Sequence, residues 1–429
     1  MTTSAFDKVI GYESVKNELK LLSDVWKNSG KYERWGGKPP HGLLLHGDPG
    51  LGKTLFATCL IEDCGLPSFT VRKDKSNGAF LDELRSAFDE AKANAPAVLL
   101  LDDLDKFSND VSENNRDADE YVAVQTGMDA TANCGVFVVA TVNARWKLPD
   151  SLLRAGRFDV EIELSTPSLE DTEMIIRHYL AGKGFDLDQA DLKEFAGIMV
   201  ENSCADVESV VNQATIYAVY DGRESVTRDD LIRACLRKFF NAPEGGDSYS
   251  AVTRSQTAYH EAAHAVVADI LEPGSVNLIS IKATDGKVGG TVSLRNDPDY
   301  FHRMIYQENR VRAILAGKAV TELVFGEIDV GSRSDVNRAI RVVERFRDDF
   351  SAYGFANIVH SWTPEAVKAD AHRRMTEILE DYYREAKKIL ADHRPYLDAV
   401  AKALLEKETL LGCDLAKIRQ TVNSTRIGV

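Results

Sequence analysis

The segment Gly47-Asp48-Pro49-Gly50-Leu51-Gly52-Lys53-Thr54 constrains this chain more than any other stretch of it. It fits the pattern GxxxxGK[ST], follows the apolar run Leu43–His46 and opens a helical stretch, Thr54–Ile61. Such a loop works between a buried strand and a helix N-terminus. Glycines let backbone N–H groups close around phosphate oxygens, and the positive helix end faces the same charge. Lys53 is then expected on the β- and γ-phosphates, and the Thr54 hydroxyl on Mg²⁺. ATP with Mg²⁺ is the ligand this chemistry fits.

The surrounding pattern extends that unit into a layer. Gly42–His46, Ser68–Val71, Ala97–Asp102, Gly135–Thr141 and Val160–Leu164 read as five strands. The runs Val98–Leu101 and Val136–Ala140 are continuously apolar, as strands covered on both faces are. Leu81, Leu84, Phe88 and Ala91 recur at helical spacing between strands, which predicts an α/β fold with a parallel sheet. From Leu169 to Phe240 only helical spacing remains, as a small helical subdomain would show. Asn241–Ser248 is the best linker, with one Pro and two Gly among polar residues. Beyond it Val252–Ile270 reads as helix, Val276–Ile281 and Lys287–Leu294 as short strands, and most of Met304–Lys407 as helix. The expected domains are 1–165, 166–240, a linker 241–249, and 250–429.

Composition limits the classes of function. A chain of 429 residues holds two to four domains, and 44% hydrophobic with 28% charged residues is ordinary for a folded protein. Lys and Arg number 52 against 67 Asp and Glu, a net charge of −15, so no nucleic-acid partner is expected. No apolar run approaches the roughly 18–20 residues of a membrane span. Met1-Thr2-Thr3-Ser4 lacks the basic and apolar regions of a secretory leader. Six cysteines scattered without CxxC spacing fit a reducing compartment, and a cytoplasmic chain is expected.

Three further constellations carry chemistry. Val98–Asp103 is a buried strand ending in two carboxylates: Asp102 would orient Mg²⁺, and Asp103 would polarise the attacking water, with Asn143 positioning the same water. Arg154 and Arg157, in Leu152–Asp159, read either as surface arginines paired with nearby acids or as fingers reaching a neighbouring subunit's γ-phosphate. The second reading implies a head-to-tail ring. His260-Glu261-Ala262-Ala263-His264 fits HExxH. Positions four apart share a helix face, so both imidazoles can bind one Zn²⁺, with Glu261 as the base that takes a proton from water. Ala258, Ala262, Ala263, Ala265, Val266 and Val267 would bury that helix. A third ligand is needed. Asp335, in Gly331-Ser332-Arg333-Ser334-Asp335 where a helix begins, is the candidate, and by position alone it could equally be a helix N-cap.

Taken together, the chain resembles the cytosolic part of the FtsH family of AAA+ zinc proteases from about Ala5 to about Leu415. The resemblance rests on Trp35–Pro40 before the phosphate loop, Leu152–Asp159, His260–His264, Val324–Glu327, Gly331–Asp335 and Leu405–Leu410. It implies a P-loop AAA+ α/β domain with a helical lid, followed by a mainly helical zinc-metalloprotease domain. It also implies a homo-hexamer that uses ATP, Mg²⁺ and Zn²⁺ to thread polypeptide substrates into a proteolytic chamber. Residue by residue it makes His260, His264 and Asp335 the zinc ligands and Glu261 the base. It brings Ile10, Gly11, His178 and Ala205 towards the adenosine, and gives Gly289, Gly290, Thr291 and Val292 to an edge strand that pairs with extended substrate.

This sequence departs from the family in four places. No transmembrane helix precedes the ATPase module, as in a soluble member or an excised piece. Asp103 stands where Glu is usual, retracting the carboxylate by more than about 1 Å, a misplacement able to cost about a hundredfold. The pore loop reads Lys75-Ser76-Asn77-Gly78 without its aromatic, Phe80 lying beyond. Met128-Asp129-Ala130-Thr131 replaces a segment that usually ends Gly-Phe. The expected activity is ATP-dependent zinc endopeptidase. The alternative is a zinc peptidase for unfolded or small substrates in which ATP serves ring assembly.

Overall fold

The computed structural model describes residues 4–74, 77–108, 118–187, 189–242, 250–282, 290–295, 303–327, 330–354 and 363–427. They form two compact units, Met1–Gly182 with Met199–Asn212, and Lys183–Ile198 with Gln213–Val429. Both units draw on the stretch expected to be a separate lid.

The first unit begins with helices α1 (Glu13–Lys27) and α2 (Ser29–Glu33). Then follow β1 (Gly42–His46), α3 (Lys53–Cys64), β2 (Ser68–Arg72), α4 (Asn77–Ala93), β3 (Ala97–Asp102), α5 (Asp119–Thr131), β4 (Val136–Val142), β5 (Val160–Glu163) and α6 (Leu169–Leu180). The five strands make one parallel sheet in the order β2-β3-β4-β1-β5. All five expected strands are present. β3 and β4 are buried along their whole length, as their unbroken apolar runs require of central strands. The edge strands β2 and β5 alternate between buried and open positions instead. Phe56, Leu60 and Phe137 pack one face of the sheet, and Phe80, Leu84 and Val124 the other.

Between and beyond these lie β6 (Phe185–Asp186), α7 (Gln189–Met199), α8 (Cys204–Tyr220), β7 (Val226–Thr227) and α9 (Arg228–Phe240). β6 and β7 pair in parallel, a two-residue contact too short to leave a periodic signature. The second unit continues through α10 (Ala251–Leu271), β8 (Val276–Ser280), β9 (Thr291–Leu294), α11 (Met304–Phe325), α12 (Arg333–Asp348), α13 (Glu365–Asp392), α14 (Arg394–Lys407), β10 (Thr409–Leu411) and α15 (Gly412–Ile427). Its antiparallel sheet has the order β10-β8-β9, which leaves β9 at an edge. α10 is the central element. Ser250 caps it by accepting the Thr253 N–H at 3.1 Å. Its Ala262, Ala263, Ala265 and Val266 are fully buried in one core with Ala316, Ala319 and Val320 of α11. Small side chains on both helices let their axes come close, and α10's middle is thereby shielded from solvent. Among the described residues no helix is long and apolar enough to cross a membrane.

Candidate metal centre and nucleotide loop

The phosphate loop joins β1 to α3 as its sequence requires. Gly47, Asp48, Pro49, Gly50, Leu51 and Gly52 form the turn. Gly50 leaves no room for a side chain, because a Cβ there would lie 2.7 Å from Ser203 Oγ. Lys53 is buried and donates to the Gly47 and Asp48 carbonyls, both at 2.7 Å. Burial lowers its pKa, an effect the nearby Asp105 and Asp103 oppose.

The ends of β3 and β4 bring the acids to this loop. Asp102 Oδ1 accepts from the Thr54 hydroxyl at 2.8 Å and the Thr141 hydroxyl at 2.7 Å. Thr54 and Asp102, the two expected Mg²⁺ groups, are therefore in direct contact. Asp103 follows in a left-handed backbone conformation, φ 58°. Asn143 Nδ2 donates to its Oδ1 at 3.2 Å, while Arg72 at 3.2 Å and Lys106 at 2.8 Å both hold its Oδ2. Burial alone would raise the Asp103 pKa, but Lys106 and Arg72 hold it below the usual carboxylate range. Buried Asp105 accepts the backbone N–H groups of Asn143 at 3.1 Å and Ala144 at 3.3 Å, and so orients that asparagine. Thr141 and Asp105 went unrecognised in the sequence, since neither belongs to a motif.

The residues expected near adenosine belong to the same unit. The Ala205 N–H donates to the Gly50 carbonyl at 3.1 Å, joining the start of α8 to the loop. Gly11 is buried against Asp171, which accepts the Tyr12 N–H at 3.0 Å, and Ile10 is half-buried beside it. His178 is exposed, its ring edge-on to Tyr179 at 5.2 Å. The arginines differ from one another. Arg157 is bound bidentately to Asp129, at 3.0 and 2.9 Å, whereas the exposed Arg154 side chain makes no polar contact among the described residues. The unusual Met128–Thr131 segment thus supplies the acid that tethers Arg157. Lys75 and Ser76 of the expected pore loop lie outside the described residues. Phe80 is fully buried, edge-on to Phe107 at 4.8 Å, so it cannot substitute for a pore aromatic.

In the second unit α10 presents His260 and His264 on one face, and α12 brings Asp335 to them. Asp335 Oδ2 lies 3.0 Å from His260 Nε2 and 3.5 Å from His264 Nε2, and the two Nε2 atoms are 3.1 Å apart. Ligand atoms of a tetrahedral zinc site with bonds of about 2.0–2.1 Å stand roughly 3.3 Å from one another, so this triangle fits a zinc ion and leaves a fourth corner open. Ser332, not Asp335, holds the N-cap position of α12, and it makes no side-chain capping bond. The N-cap reading of Asp335 is therefore set aside.

The surroundings fit the same ion. His264 Nδ1 lies 2.7 Å from the Ala313 carbonyl, which can only accept; in the neutral ring Nδ1 therefore carries the hydrogen and Nε2 the lone pair. Burial opposes charge on His264, but Asp335 and Glu261 push its pKa up to about 9, and the same histidines hold Asp335 far below its usual range against its own burial. The cluster selects positive charge at its centre. Gly317 of α11 faces it, where a Cβ would lie 2.5 Å from His260 Cε1 and 2.6 Å from His264 Nε2. Glu261 is buried on the same helix, which raises its pKa, and its Oε1 accepts the Gly290 N–H at 3.1 Å. Gly290 leads directly into Thr291 and Val292 of the edge strand β9; Gly289 lies outside the described residues.

A nucleotide loop on a parallel sheet, followed by an HExxH helix with a distant aspartate, defines an ATPase joined to a metallopeptidase. Family comparison agrees: residues 43–166 match the ATPase family associated with various cellular activities (AAA), and residues 248–418 match peptidase family M41. The chain is 30% identical to the ATP-dependent zinc metalloprotease FtsH 1 of Thermomicrobium roseum over 96% of this chain and 68% of that protein. It is 28% identical to an FtsH of Caldicellulosiruptor bescii, covering 96% and 71%, and 26% identical to FtsH 2 of a Thermoanaerobacter species, covering 99% and 84%. The chain belongs to the FtsH family of ATP-dependent zinc metalloproteases.

Proposed function

We propose that this chain is the subunit of a homo-hexameric ring that binds polypeptides, unfolds them with ATP and cleaves them at a zinc centre. The observation that carries the reading is the His260, His264 and Asp335 triangle with Glu261 on the intervening helical turn. The three ligands would hold zinc, which when bound supplies a Lewis acid for the scissile carbonyl and lowers the pKa of water. Glu261 takes the proton of the attacking water and delivers it to the leaving amine nitrogen. The edge strand from Gly290 through Thr291 and Val292 pairs with extended substrate, which holds backbone and tolerates varied side chains. At the other site Lys53 binds phosphate, Thr54 and Asp102 hold Mg²⁺, Asp103 with Asn143 orients water, and Arg154 is offered to a neighbour's nucleotide. ATP is needed because a folded substrate resists extension by about 5–15 kcal/mol.

A second reading has a specific observation behind it: Asp103 is short and held by Arg72, Lys106 and Asn143, which suits slow hydrolysis and a peptidase for chains already unfolded. Casein and a stably folded protein, each with and without ATP, separate the two. Glu261→Gln should abolish cleavage of both while zinc stays bound, and undiminished cleavage would refute the protease reading. Lys53→Ala should stop degradation of the folded substrate only. Survival of that substrate in the parent enzyme would favour the second reading.

A further inference from the structure

Helix α7 belongs by sequence to the ATPase's lid, yet within the second unit it is built into the end of the peptidase sheet. Asn277 of β8, buried to 1% exposure, donates to the Gly197 carbonyl at 2.9 Å. A Cβ on Gly197 would lie 2.8 Å from Asn277 Oδ1, so any larger residue there would have to displace the Asn277 side chain. One turn earlier, Glu194 accepts the N–H of Gly412, the residue after β10. Gly412 is equally confined, with its would-be Cβ 2.2 Å from the Val276 carbonyl and 2.9 Å from Glu194 Oε2. Arg295, the residue after β9, brings Nη2 to 3.8 Å from the Gly197 Cβ position. Arg228, which opens α9, binds Asp414 of α15 at 2.6 Å and lies 3.2 Å from Asp191 of α7. One helix therefore meets β8 at Asn277 and reaches the residues that follow β10 and β9, with glycines at the two tightest points.

The edge strand is flanked on both sides. Gly290, just before β9, holds Glu261, and Arg295, just after it, places its guanidinium beside Gly197 of α7. The four residues Thr291–Leu294 are stretched between the catalytic helix and the lid helix. We propose that Gly197 and Glu194 are positioning residues of the peptidase, seating Asn277, Gly412 and Arg295 so that β9 is presented in the register that substrate backbone pairs with. The proposal rests on the reading of Thr291 and Val292 as the substrate strand.

The test uses the full chain with zinc, an unstructured fluorogenic peptide, and two variants: Gly197→Val, which crowds Asn277, and Asn277→Leu, which removes the bond from the other side. Each should raise the peptide KM about tenfold, the worth of roughly one backbone hydrogen bond, with kcat within about twofold and with zinc content and ATP turnover unchanged. A merely structural role lowers the active fraction, so kcat falls at constant KM, and that result in both variants overturns the proposal. An unchanged KM does the same. Hydrogen exchange supplies a readout independent of cleavage: amides of 291–295 should exchange faster in both variants than in the parent, and equal rates overturn the proposal. A parent that binds zinc but cleaves nothing would instead defeat the functional reading, with exchange still deciding the positioning role. If Gly197→Val does not fold, Asn277→Leu and Glu194→Gln carry both measurements.

Discussion

At Gly317 the requirement of the metal centre and the preference of a helix conflict. A glycine in a helix interior costs about 1 kcal/mol relative to alanine, yet an alanine here would put its Cβ into both imidazoles. Gly317→Ala should therefore hold its melting temperature while zinc affinity falls at least about tenfold, read by elemental analysis after dialysis against graded chelator. Full zinc retention would mean that the neighbouring side chains yield. His260 and His264 were legible because a spacing of four fixes a shared face. Gly317 was not, because nothing local distinguishes a glycine kept for clearance from one merely tolerated. Asp335 was half legible: its position offered ligand or helix cap, the family resemblance favoured ligand, and the distances to both histidines with Ser332 at the N-cap agree. Asp103 was legible as a short acid, but the Arg72 and Lys106 that hold it come from a different strand end and a later turn.

Among elements, the strands were the most legible, since burial on both faces writes an unbroken apolar run. The lid was legible as helices but not in its attachment, because helical spacing tells which face is buried and not against what. α7 is the case in point, with its partners eighty or more residues away in sequence at Asn277, Arg295 and Gly412. The ion pair beside it gives a pH signature. Burial would push the Asp414 carboxyl up, but Arg228 and the Leu411 N–H hold it below its ordinary value. A carboxylate lowered on folding stabilises the native state above its unfolded pKa, about 3.9, and that contribution disappears as pH falls through the folded value. The parent's melting temperature should drop as pH goes from about 5 to about 3. Asp414→Asn should be less stable by about 1–3 kcal/mol at pH 7 and should lose less over that acid range. Parallel melting curves for the two proteins would assign the acid sensitivity elsewhere.

For the whole molecule the open physical question is whether one chain can complete its own nucleotide site. Arg157 is occupied within the chain by Asp129, whereas the exposed Arg154 side chain, proposed to serve a neighbour, has no polar partner among the described residues. In a head-to-tail ring every site borrows an arginine from the next subunit, and such a finger is worth about 10³-fold or more in turnover. Arg154→Ala alone and Lys53→Ala alone should each abolish ATP hydrolysis. Mixed in equal amounts and allowed to reassemble, they should recover it in part. A working site needs an intact loop from the Arg154→Ala subunit beside an intact finger from the Lys53→Ala subunit, and random mixing produces that pairing at about one quarter of interfaces. Arg157→Ala should gain nothing from the same mixing, because the contact it loses lies inside its own chain. Recovery near a quarter would require the ring. No recovery, with both variants folded and exchanging subunits, would mean that Arg154 acts within its own chain or not at all, and the case for a neighbour-completed site would go with it.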